Sequence, residues 1–235
     1  MSNSPELITD LTQLAQWVQS QSDDGLSVGL VPTMGALHAG HLSLVKYAAR
    51  ETDSVLVTIF VNPTQFAPDE DLQQYPRDLE GDLQLLGSVA TVTVFAPAVA
   101  DMYPTENSAA TDIESNKLDN VATRWEGKRR PGHFLGVTTI VHKLFTLTKA
   151  QVAFFGRKDY QQLRVIERLT EEHHHNIKIV GCPIMREEDG LAMSSRNAYL
   201  TPTQRTQATA IYKGLQAASS MANSKEMAAA ELQEV

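Results

Sequence analysis

The chain has 235 residues, 42% of them hydrophobic and 20% charged, enough for one large domain, or one domain and a small second one, around a buried core. Its 28 Asp and Glu against 20 Lys and Arg leave a net charge of -8, the opposite of what a protein gripping duplex nucleic acid carries. The single cysteine, Cys182, can form no internal disulfide, no Cys/His clusters have zinc spacing, and neither a signal-peptide layout nor a membrane-length apolar window occurs, so a soluble, cytoplasmic protein with no nucleic-acid or membrane partner is expected.

In chain order, "LITDLTQLAQWVQSQ" spaces Leu7, Leu11, Leu14, Ala15 and Val18 at helical intervals, predicting an opening amphipathic helix. "SVGLVPT" reads as a buried strand, and "HLSLVKYAAR" as a helix with Leu44, Val45, Ala48 and Ala49 on one face. "SVLVTIFVNP" is a continuous β-branched run, the mark of a central strand covered on both faces. "RDLEGDLQLLGS" is helical and "ATVTVFAP" a further strand.

Between residues 100 and 135 the periodicity fades into a long insertion, with one short strand expected at Thr111 to Ile113; such irregular stretches often form sites. Helix "GVTTIVHKLFTLTKA" follows, with Val137, Ile140, Val141, Leu144, Phe145 and Thr148 on its apolar face. Strand "VAFFG", helix "DYQQLRVIERLTEEHH" and strand "IKIVGCP" complete the alternation, and the Ala-rich remainder is helical. Alternating strands and helices predict an α/β fold, a Rossmann-like doubly wound parallel sheet with helices on both faces and ligands at the carboxyl ends of the strands. The expected boundary falls at residue 184, giving a Rossmann-like domain over 1–184 and a small C-terminal lid domain over 185–235.

One such strand end carries "VPTMGALHAGH". A helix entry offers free N–H groups and a positive dipole end, and glycines such as Gly35 and Gly40 let phosphates approach the backbone. Imidazoles there, His38 and His41, can donate to phosphate oxygens as charge builds. "FFGRKDYQQL" repeats this strand, glycine and helix-start arrangement, with Lys158 as a mobile ammonium and Asp159 as helix cap or ribose acceptor. Asn62 and Gln65 offer neutral donors and acceptors for hydroxyl and carboxylate groups, although a strand-ending turn also accounts for Asn62. Asp82, with Asp78 and Glu80, is either a magnesium ligand or part of a solvated helix face. The triplet at residues 173 to 175, "HHH", reads as surface.

"PTMGALHAGH" resembles the HIGH-type motif of the nucleotidyltransferase superfamily, in the form typical of the pantothenate synthetase (pantoate–β-alanine ligase) family. "FVNPTQF", "YPRDLEGDL", "RPGHFLGVTTIV", "FFGRKDYQQL" and "REEDGLAMSSRNAYL" are similar to further blocks of that family in the same order, over residues 5 to about 215. The resemblance implies an ATP-dependent ligation of (R)-pantoate and β-alanine through pantoyl adenylate, releasing AMP and pyrophosphate.

It assigns His38, His41, Lys158, Ser195 and Arg196, with Mg²⁺, to the pyrophosphate side. Met34, Gly35, Gly40, Gly156, Arg157, Asp159, Met185, Met193 and Ser194 join them around ATP. Asn62, Gln65 and Gln162 fall to pantoate, and Asp82 to the metal. Arg157 departs from the family's usual acidic residue or glutamine. The resemblance also implies a homodimer and a C-terminal portion longer by some tens of residues, so the lid is expected to be incomplete. Two rivals remain: an adenylyltransferase acting on a phosphate ester, which would need basic residues where Asn62, Gln65 and Gln162 stand, and an ATP-binding regulatory protein without turnover.

Overall fold

Six strands, β1 (Glu6–Ile8), β2 (Val28–Thr33), β3 (Ser54–Ile59), β4 (Thr93–Phe95), β5 (Val152–Gly156) and β6 (Lys178–Cys182), lie side by side in the order β1-β4-β3-β2-β5-β6. Every adjacent pair is parallel. The computed structural model describes residues 4–104, 119–174 and 176–224. Among these the helices are α1 (Leu11–Asp23), α2 (Ala39–Glu51), α3 (Leu79–Gly87), the single turns α4 (Val99–Met102), α5 (Asp119–Thr123) and α6 (Glu126–Arg129), then α7 (His133–Thr148), α8 (Tyr160–His173) and α9 (Pro202–Ser224). None of them is long and apolar enough to cross a membrane.

The sheet is covered on both faces because side chains alternate along each strand. Leu30, Leu56, Phe95, Ala153 and Phe155 join the core built with Leu14 and Trp17 of α1, Val137, Val141 and Phe145 of α7 and Ile166 of α8. Their neighbours Val31, Val57, Val94 and Phe154 point the other way, into a second core with Leu44, Val45 and Ala48 of α2 and Leu86 of α3. The doubly wound parallel sheet expected from the alternation is therefore present.

Winding reverses at β2. The chain runs outward through β3 and β4 on one side, then returns to lay β5 and β6 on the other. The two crossovers leaving β2 and β5 depart to opposite faces, which opens a crevice at the carboxyl ends of those strands.

Local expectations shift in several places. Leu7 lies in edge strand β1 rather than in the opening helix, which begins at Leu11, capped by the Asp10 carboxylate on the Thr12 and Gln13 amides. Three residues paired only with β4 are too short to show a period. Helix α7 starts at His133, three residues before the apolar run, because Gly132 turns into it with a left-handed φ of 84°. Ala15 of α1 and Ala49 of α2, expected on apolar faces, are exposed. Of the histidine triplet, His174 is half-buried, packing edge-on against Phe145 with its Nε2 2.9 Å from Nδ1 of His142. Burial and the two neighbouring imidazoles lower its pKa to about 4. The strand expected at Thr111 to Ile113 lies outside the described residues.

Gly136 sets how near α7 approaches the 3-10 turn at Pro63–Gln65. A Cβ there would fall 2.3 Å from the Thr64 carbonyl oxygen and 2.6 Å from the Gln65 nitrogen. Both are backbone atoms, which cannot rotate aside, so Gly136→Ala is expected to lower stability by about 1–3 kcal/mol. A urea midpoint equal to that of the parent chain would contradict this.

Candidate active site

The crevice at the switch point is lined from several strand ends: Thr33 closing β2 and Met34 after it, Phe60 and Asn62 after β3, Gly156 closing β5 and Pro183 after β6. His38 is the N-cap of α2, and its Nδ1 accepts from the Gly40 amide at 3.1 Å. His41 returns the arrangement, its Nδ1 accepting from the His38 amide at 3.3 Å. The two ring centroids lie 4.1 Å apart, with the planes tilted by 36°. With both Nδ1 atoms occupied as acceptors, each ring carries its proton on Nε2. Burial, then the Lys158 ammonium, holds His38 below its ordinary pKa. His41 is pushed down to about 3 by burial first, then by His38 and Lys158. Both imidazoles are thus neutral donors at physiological pH.

The turn leading to this pair is left-handed at two consecutive residues, Gly35 (φ 80°) and Ala36 (φ 50°). Asp82, on α3, is buried and receives the amides of Ala36 (2.9 Å) and Leu37 (2.7 Å) on its two carboxylate oxygens. The Gly35 amide donates to the Thr33 hydroxyl. Burial raises the Asp82 pKa, opposed by these two amides. Neither Gly35 nor Asp82 lines the cleft; both stand behind it. Asp78, nearby, caps α3 on the Gly81 amide.

Asn62 lies on the other wall, and its amide is fully engaged. Nδ2 donates to Gln65 Oε1 (3.1 Å) and to the Gly136 carbonyl (3.0 Å), while Oδ1 accepts from the Thr64 amide and hydroxyl and from the Tyr103 hydroxyl at 2.9 Å. The Gln65 side chain is thereby orientated, with Nε2 toward the Met34 sulfur at 3.0 Å. His133 Nδ1 meets the Gln65 carbonyl at 2.8 Å, and its Nε2 lies 3.0 Å from the Arg130 guanidinium. Arg130 in turn forms a two-pronged ion pair with Glu70 and a single contact to Glu126. Burial and the cation keep His133 below its ordinary pKa. Tyr103, Glu126, Arg130 and His133 were not singled out from the sequence. The available signal was polar and basic residues inside a long irregular segment.

Lys158, Asp159 and Gln162 follow β5 into the cleft, with Lys158 Nζ 2.8 Å from Asp159. Arg157 is the exception. Its side chain lies over Gly181, where a Cβ would meet Arg157 Nε at 3.3 Å, and it does not line the cleft. Gln161 pins the segment ahead of α7, donating to the Val121 and Arg124 carbonyls and accepting from the Glu126 amide. Cys182 is buried and its thiol is pushed up to about 11, so it is no nucleophile.

The loop from Met185 to Tyr199 roofs the cleft. Met193 donates its amide to the Met185 carbonyl, Ser194 caps the 3-10 turn on the Arg196 amide, and both line the crevice with Ser195. Arg196 reaches across to Asp71 through two hydrogen bonds of 2.9 Å and lies over the Phe66 and Tyr75 rings.

A parallel sheet whose switch-point crevice is entered by an H-x-x-H helix mouth and roofed by a Ser-Ser-Arg loop defines a Rossmann-like enzyme of the HIGH-motif nucleotidyltransferase type. The family model described as Pantoate-beta-alanine ligase matches residues 6–235. A pantothenate synthetase of Rubrobacter xylanophilus is 51% identical over 200 residues, 83% of this chain and 68% of that protein. One from Roseiflexus castenholzii is 54% identical over 191 residues, 81% and 67% of the two chains. The crystal structure of pantothenate synthetase from Thermus thermophilus superposes with a TM-score of 0.88 at 43% identity, over 97% of this chain and 79% of that one. A Francisella tularensis pantoate-beta-alanine ligase, solved in complex with beta-gamma ATP and beta-alanine, gives 0.82 at 42% identity over 90% and 79%. The chain belongs to the pantoate–β-alanine ligase family.

The neutral state of His41 has a consequence for stability. Its folded pKa of about 3 lies below the ordinary 6.5, so below pH 6.5 the unfolded chain binds a proton that the folded chain refuses. This contribution is complete above about pH 6.5 and drains away as pH falls toward 3. His41→Gln is expected to lose less stability than the parent between pH 6.5 and 4, seen in urea midpoints against pH. Parallel curves would count against a neutral buried His41.

Proposed function

We infer that the chain joins (R)-pantoate to β-alanine at the expense of ATP, by way of pantoyl adenylate. The observation that carries this reading is the His38–His41 pair, whose reciprocal backbone bonds leave two Nε2–H donors at a helix mouth opposite a wall of neutral amides. Donors suit a triphosphate, whereas amides suit the hydroxyl and carboxylate groups of a small hydroxy acid. A phosphate-ester acceptor would want free cations on that wall, where the guanidinium of Arg130 is already committed to Glu70 and Glu126.

In the first step a pantoate carboxylate oxygen attacks the α-phosphorus and pyrophosphate departs. His38, His41, Lys158, Ser195 and Arg196 are proposed to stabilise the growing charge on the phosphate oxygens. In the second step the β-alanine amine attacks the acyl carbon and AMP leaves. Orientation and charge stabilisation supply the acceleration, with no covalent enzyme intermediate. Gln65 and Gln162 are proposed to hold pantoate. Asn62, with its donors and acceptors already taken, acts on pantoate through Gln65. Met34, Gly40, Gly156, Asp159, Met185, Met193 and Ser194 are proposed to surround the nucleotide. Residues 185–224 serve in this reading as the lid over it.

Magnesium is proposed as the companion of the triphosphate. Among the described residues no three His, Cys, Asp or Glu side chains form a cluster able to hold a metal, and both Asp82 oxygens already accept backbone amides. A hydrated ion carried on phosphate oxygens suits this surface better than a protein cage. A cytoplasmic homodimer completes the proposal.

ATP–pyrophosphate exchange with and without pantoate tests the reading, and exchange without pantoate, or none with it, would sink it. His41→Ala is expected to slow adenylate formation by about 10²-fold or more, the scale of a lost transition-state donor; unchanged pyrophosphate release in a single turnover would contradict this. Gln65→Ala and Gln162→Ala are expected to weaken pantoate binding far more than ATP binding. Titration of each ligand decides it, and a selective loss of ATP affinity would assign these residues to the other half of the cleft.

A further inference from the structure

We propose that Asp82 is a positioning residue for adenylation, acting through the turn that delivers His38 and His41 and not as a direct ligand of the metal. The inference rests on the ligase reading of the cleft. The left-handed turn at Gly35 and Ala36 aims the successive amides of Ala36 and Leu37 into one concavity, as a backbone nest presents consecutive N–H groups to an anion. Here the anion is the protein's own. The Asp82 carboxylate fills the nest from behind, with Oδ2 on the Ala36 amide and Oδ1 on that of Leu37.

Ala36 gives the physical reason that such a plug is needed. At φ 50° it occupies a region disfavoured for a residue with a Cβ, so the turn requires an outside partner to persist. Leu37 directly precedes the N-cap His38, whose own amide is the donor to His41. Displacement of the 36–37 backbone is therefore transmitted to both imidazoles without any contact between Asp82 and them. The fit is close on the other side also: a Cβ on Gly35 would stand 3.0 Å from Asp82 Oδ2. A residue behind the cleft wall that fixes the angle of two donors should control the rate of charge transfer more than the affinity for either substrate.

Asp82→Asn keeps the shape but presents an NH₂ to one of two N–H donors. It is expected to lower kcat for pantoate-dependent exchange by about 10- to 100-fold, the scale of misplaced catalytic groups, with KM for ATP and pantoate within about threefold of the parent and an unchanged magnesium requirement. Gly35→Ala approaches the same clamp from the turn and is expected to show the same split, so the idea remains testable if one variant does not fold. The imidazole NMR resonances of His38 and His41 are expected to move in either variant, a readout that needs no turnover. A parent chain without exchange would defeat the ligase reading, while the resonances would still judge the clamp. Restoration of Asp82→Asn by excess magnesium would overturn the proposal in favour of a metal ligand. Parent-like kcat with unmoved resonances would overturn it outright.

Discussion

The cleft is organised by one reciprocal arrangement: the His38 side chain accepts from the Gly40 amide while the His41 side chain accepts from the amide of His38. The first turn of any helix has amides without intrahelical partners. Serine or aspartate usually satisfies them. Histidines do so here with Nδ1, which fixes the tautomer and leaves the opposite nitrogen a donor. The same bonds that terminate the helix thus prepare the site, and burial keeps the rings neutral, His41 most strongly.

Such an arrangement needs rigid support, and the fold supplies it from three directions. The sheet places β2 at the switch point, where its carboxyl end meets the crevice. Helix α3 brings Asp82 behind the turn. The loop after β6 crosses the cleft and is tied to the 66–75 segment by the Asp71–Arg196 pair and the neighbouring aromatic rings. The Arg196–Asp71 pair is partly exposed, so its value lies in orientation more than in stability. The guanidinium is thereby held at the lining of the crevice.

The amide wall follows the same logic of support from behind. Asn62 is buried with its hydrogen bonds complete, and His133 holds the Gln65 backbone while Arg130 holds His133. Gln65 is consequently fixed both by its side chain and by its main chain. A neutral amide with a fixed direction distinguishes hydroxyl and carboxylate oxygens by geometry, which a mobile one would not.

Much of this is legible in the residues alone. Alternation of buried strands with amphipathic helices announces the doubly wound sheet, because each period reflects which face is buried. Glycines and histidines at a strand-to-helix junction announce a helix mouth lined by imidazoles, because that arrangement is local to a few consecutive residues. Edge strand β1 is not legible, since three residues carry no period. Arg157 stands in sequence within the nucleotide turn, yet its side chain lies over β6, a neighbour that only strand order supplies. The acidic neighbours of Asp82 suggest a magnesium ligand; its partners are amides 45 and 46 positions away in the chain. Local sequence determines which groups are available and the period in which they recur. Tertiary structure decided which of them meet, because the donors that claim a carboxylate or a guanidinium come from segments whose proximity arises only when the sheet is assembled.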